Sequence, residues 1–378
     1  ADLFVRAGAR FAGPVAEHHD GFAMWDSDAT PWNSKEKGPR RDITGELEKT
    51  IRERGLKFIC TFHHARNLQR YKGKEEEVIT REKIRHYQFR KSHYPLFPGM
   101  PPTMDDPERN YLYGNIPEAQ WLENVWYAKL AEVVDRYRPD LIYFDSWLNH
   151  IPDSMRLKFC TYYLNRAHER GQEVVIVRKQ HDLPLDCSVD DLEKTRKNQL
   201  EEKVWMTDET ISTGSWSYTT DLKIRESRDL LHVLVDVVSK NGVLLLNISP
   251  RADGTIPGDQ QQVLLDMGEW LGRYGEAIYE TRPWYTFGEG PTREPEGDHL
   301  HNQYRKLKYT ARDVRYTTKG KSIYAIFLGN PAAEKNIILQ AFSSGIAGRE
   351  IKIQNVVMAG TDLTVDWNLT EEGLELWM

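Results

Sequence analysis

The sequence predicts an α/β chain: a (β/α)8-type, TIM-like barrel over residues 1–281, incomplete at its N-terminus, followed by a C-terminal β-sandwich over 282–378. Three observations predict it. Short apolar runs alternate with helical periodicity along the first three quarters of the chain, the pattern of parallel strands joined by crossover helices. The helical pattern stops at Arg282-Pro283-Trp284, beyond which short strand-like runs are separated by Gly, Asn, Asp and Pro. The length of 378 residues exceeds one ordinary domain and suits a barrel with a smaller module.

Taken in order, residues 1–9 carry the spacing of the last turns of an amphipathic helix, with Gly8 at its cap. Strand runs follow at 10–17, 57–62, 141–145, 174–178, 204–207 and 243–248, each mostly apolar and several ending in a polar residue. Between them lie helices. Residues 42–54 repeat Ile43, Leu47 and Ile51 at helical spacing before Gly55, and 117–138 put Leu122, Val125, Trp126, Leu130, Val133 and Val134 on one face. Residues 154–170, 227–240 and 261–273 follow the same pattern. Six strand runs are too few to close eight, so a strand or two is expected upstream of Ala1, and the sandwich is expected to stop short of its last residues. Segment 66–115, rich in Tyr, Pro and Asn, is expected to be a long βα loop or lid, with the charge run 72–83 on a solvated helix face. Sandwich strands are expected at 309–310, 314–317, 322–328, 336–341, 352–358 and 363–367.

Composition narrows the function classes. Hydrophobic residues at 39% and charged residues at 29% exclude disordered and low-complexity chains. The net charge of −6, with no basic stripe, argues against nucleic acid and favours a neutral substrate. No apolar run approaches the roughly 20 residues of a spanning helix, which argues against a membrane partner. Cys60, Cys160 and Cys187 stand at wide spacings without a CxxC pair and are expected to be core thiols.

In a parallel barrel the C-terminal strand ends project into the pocket, and five of them carry chemistry. His18 and His19 follow the first run, just ahead of Trp25, and His63 and His64 follow the second. Such pairs suit hydrogen bonding to sugar hydroxyls, a metal, or a structural place. No carboxylate or thiol at zinc spacing accompanies them, so no metal and no cofactor is expected. The run Leu141-Ile142-Tyr143-Phe144 ends in Asp145, a lone carboxylate among apolar neighbours, read as nucleophile or as a capping Asp. Arg178 ends the fourth run, placed to bind a hydroxyl or pair with a carboxylate. Region 190–218 supplies Glu193, Glu201, Glu202, Asp208 and Glu209 ahead of Trp216. Retaining glycoside hydrolysis needs two carboxyl groups roughly 5–5.5 Å apart, and this region can supply the second without its local pattern choosing which.

The runs His18-His19-Asp20-Gly21-Phe22-Ala23-Met24-Trp25, Trp32-Asn33-Ser34, Gly38-Pro39-Arg40-Arg41-Asp42 and Asp140-Leu141-Ile142-Tyr143-Phe144-Asp145 resemble the α-L-fucosidases of glycoside hydrolase family 29. Asn241-Gly242-Val243-Leu244-Leu245-Leu246-Asn247-Ile248-Ser249-Pro250, Asp253-Gly254-Thr255-Ile256-Pro257 and Ser322-Ile323-Tyr324-Ala325-Ile326-Phe327-Leu328 extend the resemblance along the chain. It implies retaining hydrolysis of terminal α-L-fucosyl linkages on oligosaccharides or glycoconjugates, without a metal, in a secreted, periplasmic or lysosomal setting. Carried over by position, Asp145 is the nucleophile and Glu193 the acid/base, with Glu209 the second choice. His18, His19 and His63 would bind fucose hydroxyls, Arg178 would lie near the reacting carboxylates, and Trp25, Tyr143 and Trp216 would wall the sugar. Thr61-Phe62-His63-His64 departs from the family's Tyr-rich strand end, Ile176-Val177 departs from its Asn-Asp before the Arg, and its early His-Trp-Gly run is absent. The Gly38–Asp42 run favours the broad-specificity branch over the one restricted to branched α-1,3/1,4-linked fucose. Two rivals stay open on sequence: a fucose-binding homologue without catalysis, and a metallohydrolase using His18, His19, His63 and His64. Self-association into a homo-oligomer also stays open.

Overall fold

The computed structural model describes residues 1–68, 107–113, 116–145, 147–293, 295, 306–331, 336–343, 351–361 and 364–377. Most of the expected loop or lid at 66–115, with its charge run 72–83, lies outside the described residues, as does Leu363. The chain divides into two compact units, one of residue 1 with 10–190 and one of 2–9 with 191–378.

In the first unit, β1 (Phe11–Ala12) and β2 (Val15–Glu17) both pair in parallel with β3 (Lys57–Phe62). The single run expected at 10–17 is therefore two strands. Gly13 marks the break, since a Cβ there would lie 1.7 Å from the Ile59 carbonyl oxygen, so only glycine lets the backbones pass. Parallel pairing continues to β4 (Leu141–Phe144), β5 (Val175–Arg178) and β6 (Val189–Asp191). β6 was not expected, because its sequence Val-Asp-Asp has no apolar run. Crossover helices lie between β2 and β3, β3 and β4, and β4 and β5. They are α2 (Ile43–Arg52), α3 (Pro107–Tyr113), the succession α4 (Glu118–Trp121), a π-helix (Leu122–Tyr127) and α5 (Ala128–Tyr137), and then α6 (Asp153–Glu169). α6 buries Met155, Phe159, Cys160, Tyr163 and Ala167 along one stripe. Cys60 is buried like Cys160, whereas Cys187 is partly exposed rather than a core thiol.

In the second unit, α1 (Asp2–Arg6) ends before Gly8, whose φ of +82° supplies the left-handed cap. β7 (Trp205–Thr210) and β8 (Gly242–Asn247) pair in parallel from Trp205 opposite Gly242 to Thr210 opposite Asn247. α7 (Ser227–Ser239) connects them, and α8 (Gly258–Tyr274) follows. Ala7, Ile211, Leu230, Leu264 and Met267 form the core here. Parallel strands run from β1 to β8, with helices between β2 and β3, β3 and β4, β4 and β5, and β7 and β8, an arrangement consistent with a (β/α)8-type domain in which β5, β6 and β7 follow one another without a helix.

From Arg282 onward pairing is antiparallel. β9 (Arg282–Glu289), β10 (Val314–Lys319) and β11 (Ser322–Phe327) form one sheet, and β12 (Ile337–Leu339), β13 (Asp366–Leu369) and β14 (Leu374–Trp377) another. Val314, Tyr316, Ile337, Leu339, Leu374 and Leu376 fill one core between them, as in a sandwich. Residues 309–310 and 352–358 are not strands, apart from an isolated bridge between Val357 and Thr364. Ile353 and Val356 pack against the sandwich core without a ladder, and Tyr309 packs instead on a cluster with Val235, Leu271 and Leu328. Among the described residues, no helix is long and apolar enough to cross a membrane.

Candidate active site

Strand register builds the site. Thr61 lies opposite Tyr143, and Tyr143 opposite Val177. Two residues further along each strand, on the same face of the pleat, stand His63, Asp145 and Lys179. Backbone bonds hold the ends in step: His63 N–H donates to the Glu17 carbonyl at 2.9 Å, and Asp145 N–H to the Phe62 carbonyl at 3.0 Å. The C-terminal ends of β2, β3, β4 and β5 therefore present His18 and His19, His63, Asp145 and Lys179 to one place.

Asp145 is the centre of that place. Its Oδ1 accepts from Lys179 Nζ at 2.8 Å, and its Oδ2 lies 2.7 Å from His63 Nδ1 and 3.8 Å from His19 Nε2. Burial works to raise its pKa, but the Lys179 charge, His63 and the imidazole hydrogen bonds prevail and hold the carboxyl well below the usual carboxylate range. It is an anion at neutral pH. His19 is 4% exposed and burial depresses it to about 4, the Asp145 hydrogen bond opposing, so it is a neutral imidazole there. His18 is exposed, its ring 4.3 Å from that of His19 and 4.2 Å from that of His63.

The turn that carries His18 and His19 is braced from beneath. Glu17 and Lys129 are both 1% exposed and pair at 2.7 Å, and Lys129 also donates to the Gly21 carbonyl at 3.3 Å. Gly21 sits at φ +79°, where a Cβ would fall 2.3 Å from the Leu112 carbonyl oxygen, so the turn requires glycine.

Several predicted residues lie elsewhere. His64 is buried, its ring stacked on Trp126 and its Nε2 donating to the Trp126 carbonyl at 3.3 Å; it takes the structural place. Trp25 is 0% exposed, donates from Nε1 to Glu132 at 3.0 Å and packs edge-on against Phe62. Arg178 turns away from Asp145: its Nε lies 3.4 Å from Asp190, opposite it on β6, and its Nη2 donates to His181 at 3.2 Å. The cation on Asp145 is the next residue, Lys179, which sequence reasoning missed. The signal was the two-residue period itself, which puts Val177 and Lys179, not Arg178, on the face of Tyr143 and Asp145. Tyr143 is 2% exposed, with the Lys179 ammonium 5.5 Å from its ring centre.

In the second unit, Glu209 on β7 is 6% exposed and engaged on both oxygens, one 3.0 Å from Arg225 and the other accepting the Thr210 N–H at 2.9 Å. Glu193 is exposed in the turn after β6. Its neighbour Lys194 places its ammonium 3.9 Å from the ring centre of Trp216, and Trp216 is anchored through its carbonyl by Asn247 and Ser249, each at 2.8 Å.

Together, a (β/α)8-type scaffold and a buried anionic carboxylate ringed by imidazoles at its strand ends define a β/α protein with a candidate active site at the C-terminal ends of its strands. The chain belongs to the alpha-L-fucosidase family, whose model matches residues 1–276. Tissue alpha-L-fucosidase of Rattus norvegicus is 29% identical over 344 residues, 88% of this chain and 61% of that protein. Plasma alpha-L-fucosidase of Homo sapiens is 29% identical over 346 residues, 88% of this chain and 64% of that protein. The chain thus spans less than two thirds of the length of these relatives. The crystal structure of Thermotoga maritima alpha-fucosidase in complex with fucose matches 100% of this chain and 73% of its own, at 26% identity and a TM-score of 0.68.

Proposed function

We propose that the chain is the catalytic part of a retaining α-L-fucosidase that removes terminal α-L-fucosyl residues from oligosaccharides or glycoconjugates by double displacement. One observation carries the reading: Asp145, at a strand end in a chain of this family, is held ionised by Lys179, His63 and His19. An ionised carboxylate is the form a nucleophile needs. Asp145 attacks the anomeric carbon while the glycosidic C–O bond breaks, and Glu193 gives its proton to the leaving oxygen. Water, deprotonated by Glu193, then attacks the same carbon and releases fucose and Asp145. Glu193 is kept as the acid/base because it stands at the position the family resemblance assigns, with Glu209, paired with Arg225 at 3.0 Å, the second choice. His18, His19 and His63 bind sugar hydroxyls, and Tyr143 and Trp216 offer rings to the apolar face and methyl group of the deoxy sugar. Residues 1–281 form the catalytic domain and 282–378 the sandwich.

Asp145→Gly tests the reading. Hydrolysis of an aryl α-L-fucoside should fall by at least about a thousandfold, the scale of nucleophile removal. Azide should restore turnover and give the β-fucosyl azide, the inverted product of attack on the face Asp145 has vacated. Near-wild-type rates in this variant would make Asp145 structural and end the assignment.

A further inference from the structure

The three imidazoles of the pocket form a second kind of site. We propose that His18, His19 and His63 bind a divalent transition-metal ion of the zinc class, and that the bound ion excludes the sugar and silences Asp145. The inference rests on the reading that these histidines face the substrate.

The geometry is close to a coordination sphere. One ring nitrogen from each of the three lies within 4.8 Å of the others. With zinc–imidazole bonds of about 2.0–2.1 Å, a tetrahedral ion needs its nitrogens roughly 3.3–3.4 Å apart, so small rotations of exposed His18 and part-exposed His63 suffice. The Asp145 carboxylate is the nearest fourth donor, 3.8 Å from His19 and 2.7 Å from His63, a hydrogen-bond contact that opens to roughly 3.3–3.4 Å when the ion takes the place of the shared proton. Three imidazoles and one carboxylate suit zinc, copper or nickel rather than magnesium or calcium. The fourth histidine of the sequence pattern, His64, cannot join, being buried against Trp126.

The surroundings make the ion an exchangeable inhibitor. Lys179 stays on the other oxygen of Asp145, 2.8 Å away, and its positive charge opposes a dication. Affinity therefore falls below that of a dedicated structural zinc site. Double displacement needs no metal, and an ion here takes the hydroxyl-binding nitrogens and the nucleophile's oxygen at once.

Zinc chloride titrated into the full chain in competition with a chromophoric chelator tests this directly. A single equivalent should bind in the micromolar range and be displaced by saturating L-fucose. Affinity should drop by about tenfold or more in His63→Gln and in His18→Gln, the scale on which metal sites respond to loss of a supporting group. It should be unchanged in His168→Gln, an exposed histidine on α6. Far-UV dichroism of each variant separates loss of a ligand from loss of the fold, and His19→Gln replaces any variant that unfolds. Absence of binding, indifference to both pocket substitutions, or simultaneous binding of zinc and fucose would overturn the inference. In metal-free buffer, aryl-fucoside hydrolysis reports on the functional reading separately. Normal hydrolysis with inert zinc sinks the metal site alone, and zinc bound at the histidines of a chain without hydrolysis supports the site while sinking the fucosidase reading.

Discussion

Asp145 could be picked out from sequence because a carboxylate ending an apolar strand is costly without a use or a partner. Its partners could not be, because they come from other strands and the choice between adjacent residues depends on the pleat. Arg178 and Lys179 differ by one position, and that step decides whether the cation meets Asp190 or Asp145. His63 and His64 repeat the lesson, one facing the carboxylate and the other buried against Trp126. Lys179 is a positioning residue, and the sign of its effect follows from what it opposes. Burial pushes the Asp145 pKa up and Lys179 is the first charge pulling it down. Lys179→Met should move the acid limb of kcat/KM to higher pH by about 1–3 units, the range for loss of an adjacent opposite charge, while Lys179→Arg restores it. Stability should follow the same linkage. A depressed folded pKa stabilises above the unfolded value and loses that contribution as pH falls through the folded one, so Lys179→Met should be less stable near neutrality and converge with the parent in acid. An acid limb unmoved in the Met variant would show that Lys179 does not set the charge of Asp145.

At the scale of elements, the long periodic segments were the legible ones. α2, α6, α7 and α8 lie within a few residues of their expected bounds, because burial on one face and a clear start or stop agree along them. Short elements with mixed sequence were not: β6 is held by its neighbour and not by its own apolarity, and β1 and β2 are parted by a close approach at Gly13. The π-turn at Leu122–Tyr127 was also invisible, since its inward residues keep an ordinary helical spacing. It carries Trp126, whose carbonyl accepts from His64. The start of α2 shows how a cap is tied to its surroundings. Asp42 accepts the Gly45 N–H at 2.9 Å and the Tyr137 hydroxyl at 2.8 Å, so one side chain caps α2 and fastens it to the end of α5. Asp42→Ala should cost about 1–2 kcal/mol in urea unfolding, the upper range for an N-cap, and Asp42→Asn should recover part of it. A loss within about 0.5 kcal/mol, as for an ordinary surface change, would mean neither bond contributes.

On the scale of the whole molecule, sequence pattern located the change from parallel to antiparallel strands at Arg282 but could not show what fastens the two kinds of structure within residues 191–378. Asp236 does so from the interior. It is 0% exposed on α7, and it receives Lys240 at 2.9 Å, Arg196 at 3.1 Å and, from β10 of the antiparallel sheet, Arg315 at 2.7 Å. Phe287 of β9 lies beneath two of these cations, 4.7 Å from Lys240 and 5.4 Å from Arg315. None of these residues stands out in a linear reading, because an Asp inside an apolar helical stripe looks like a break in the pattern until its partners, one of them 79 residues away, are in view. Taking charges out of water is costly, and such a cluster holds only while its members are paired. Asp236→Asn removes the anion that Lys240, Arg196 and Arg315 share. The expected loss is about 3–5 kcal/mol, the cost of breaking a buried pair, and against a net stability of about 5–15 kcal/mol that is a large share. Trp205 of β7 and Trp284 of β9 sit on the two sides of this joint, so fluorescence of chains keeping one or the other tryptophan should report a common unfolding midpoint, lowered together by Asp236→Asn. Separate midpoints, with only the Trp284 signal shifted, would show that the antiparallel sheets unfold on their own and that Asp236 is a local contact.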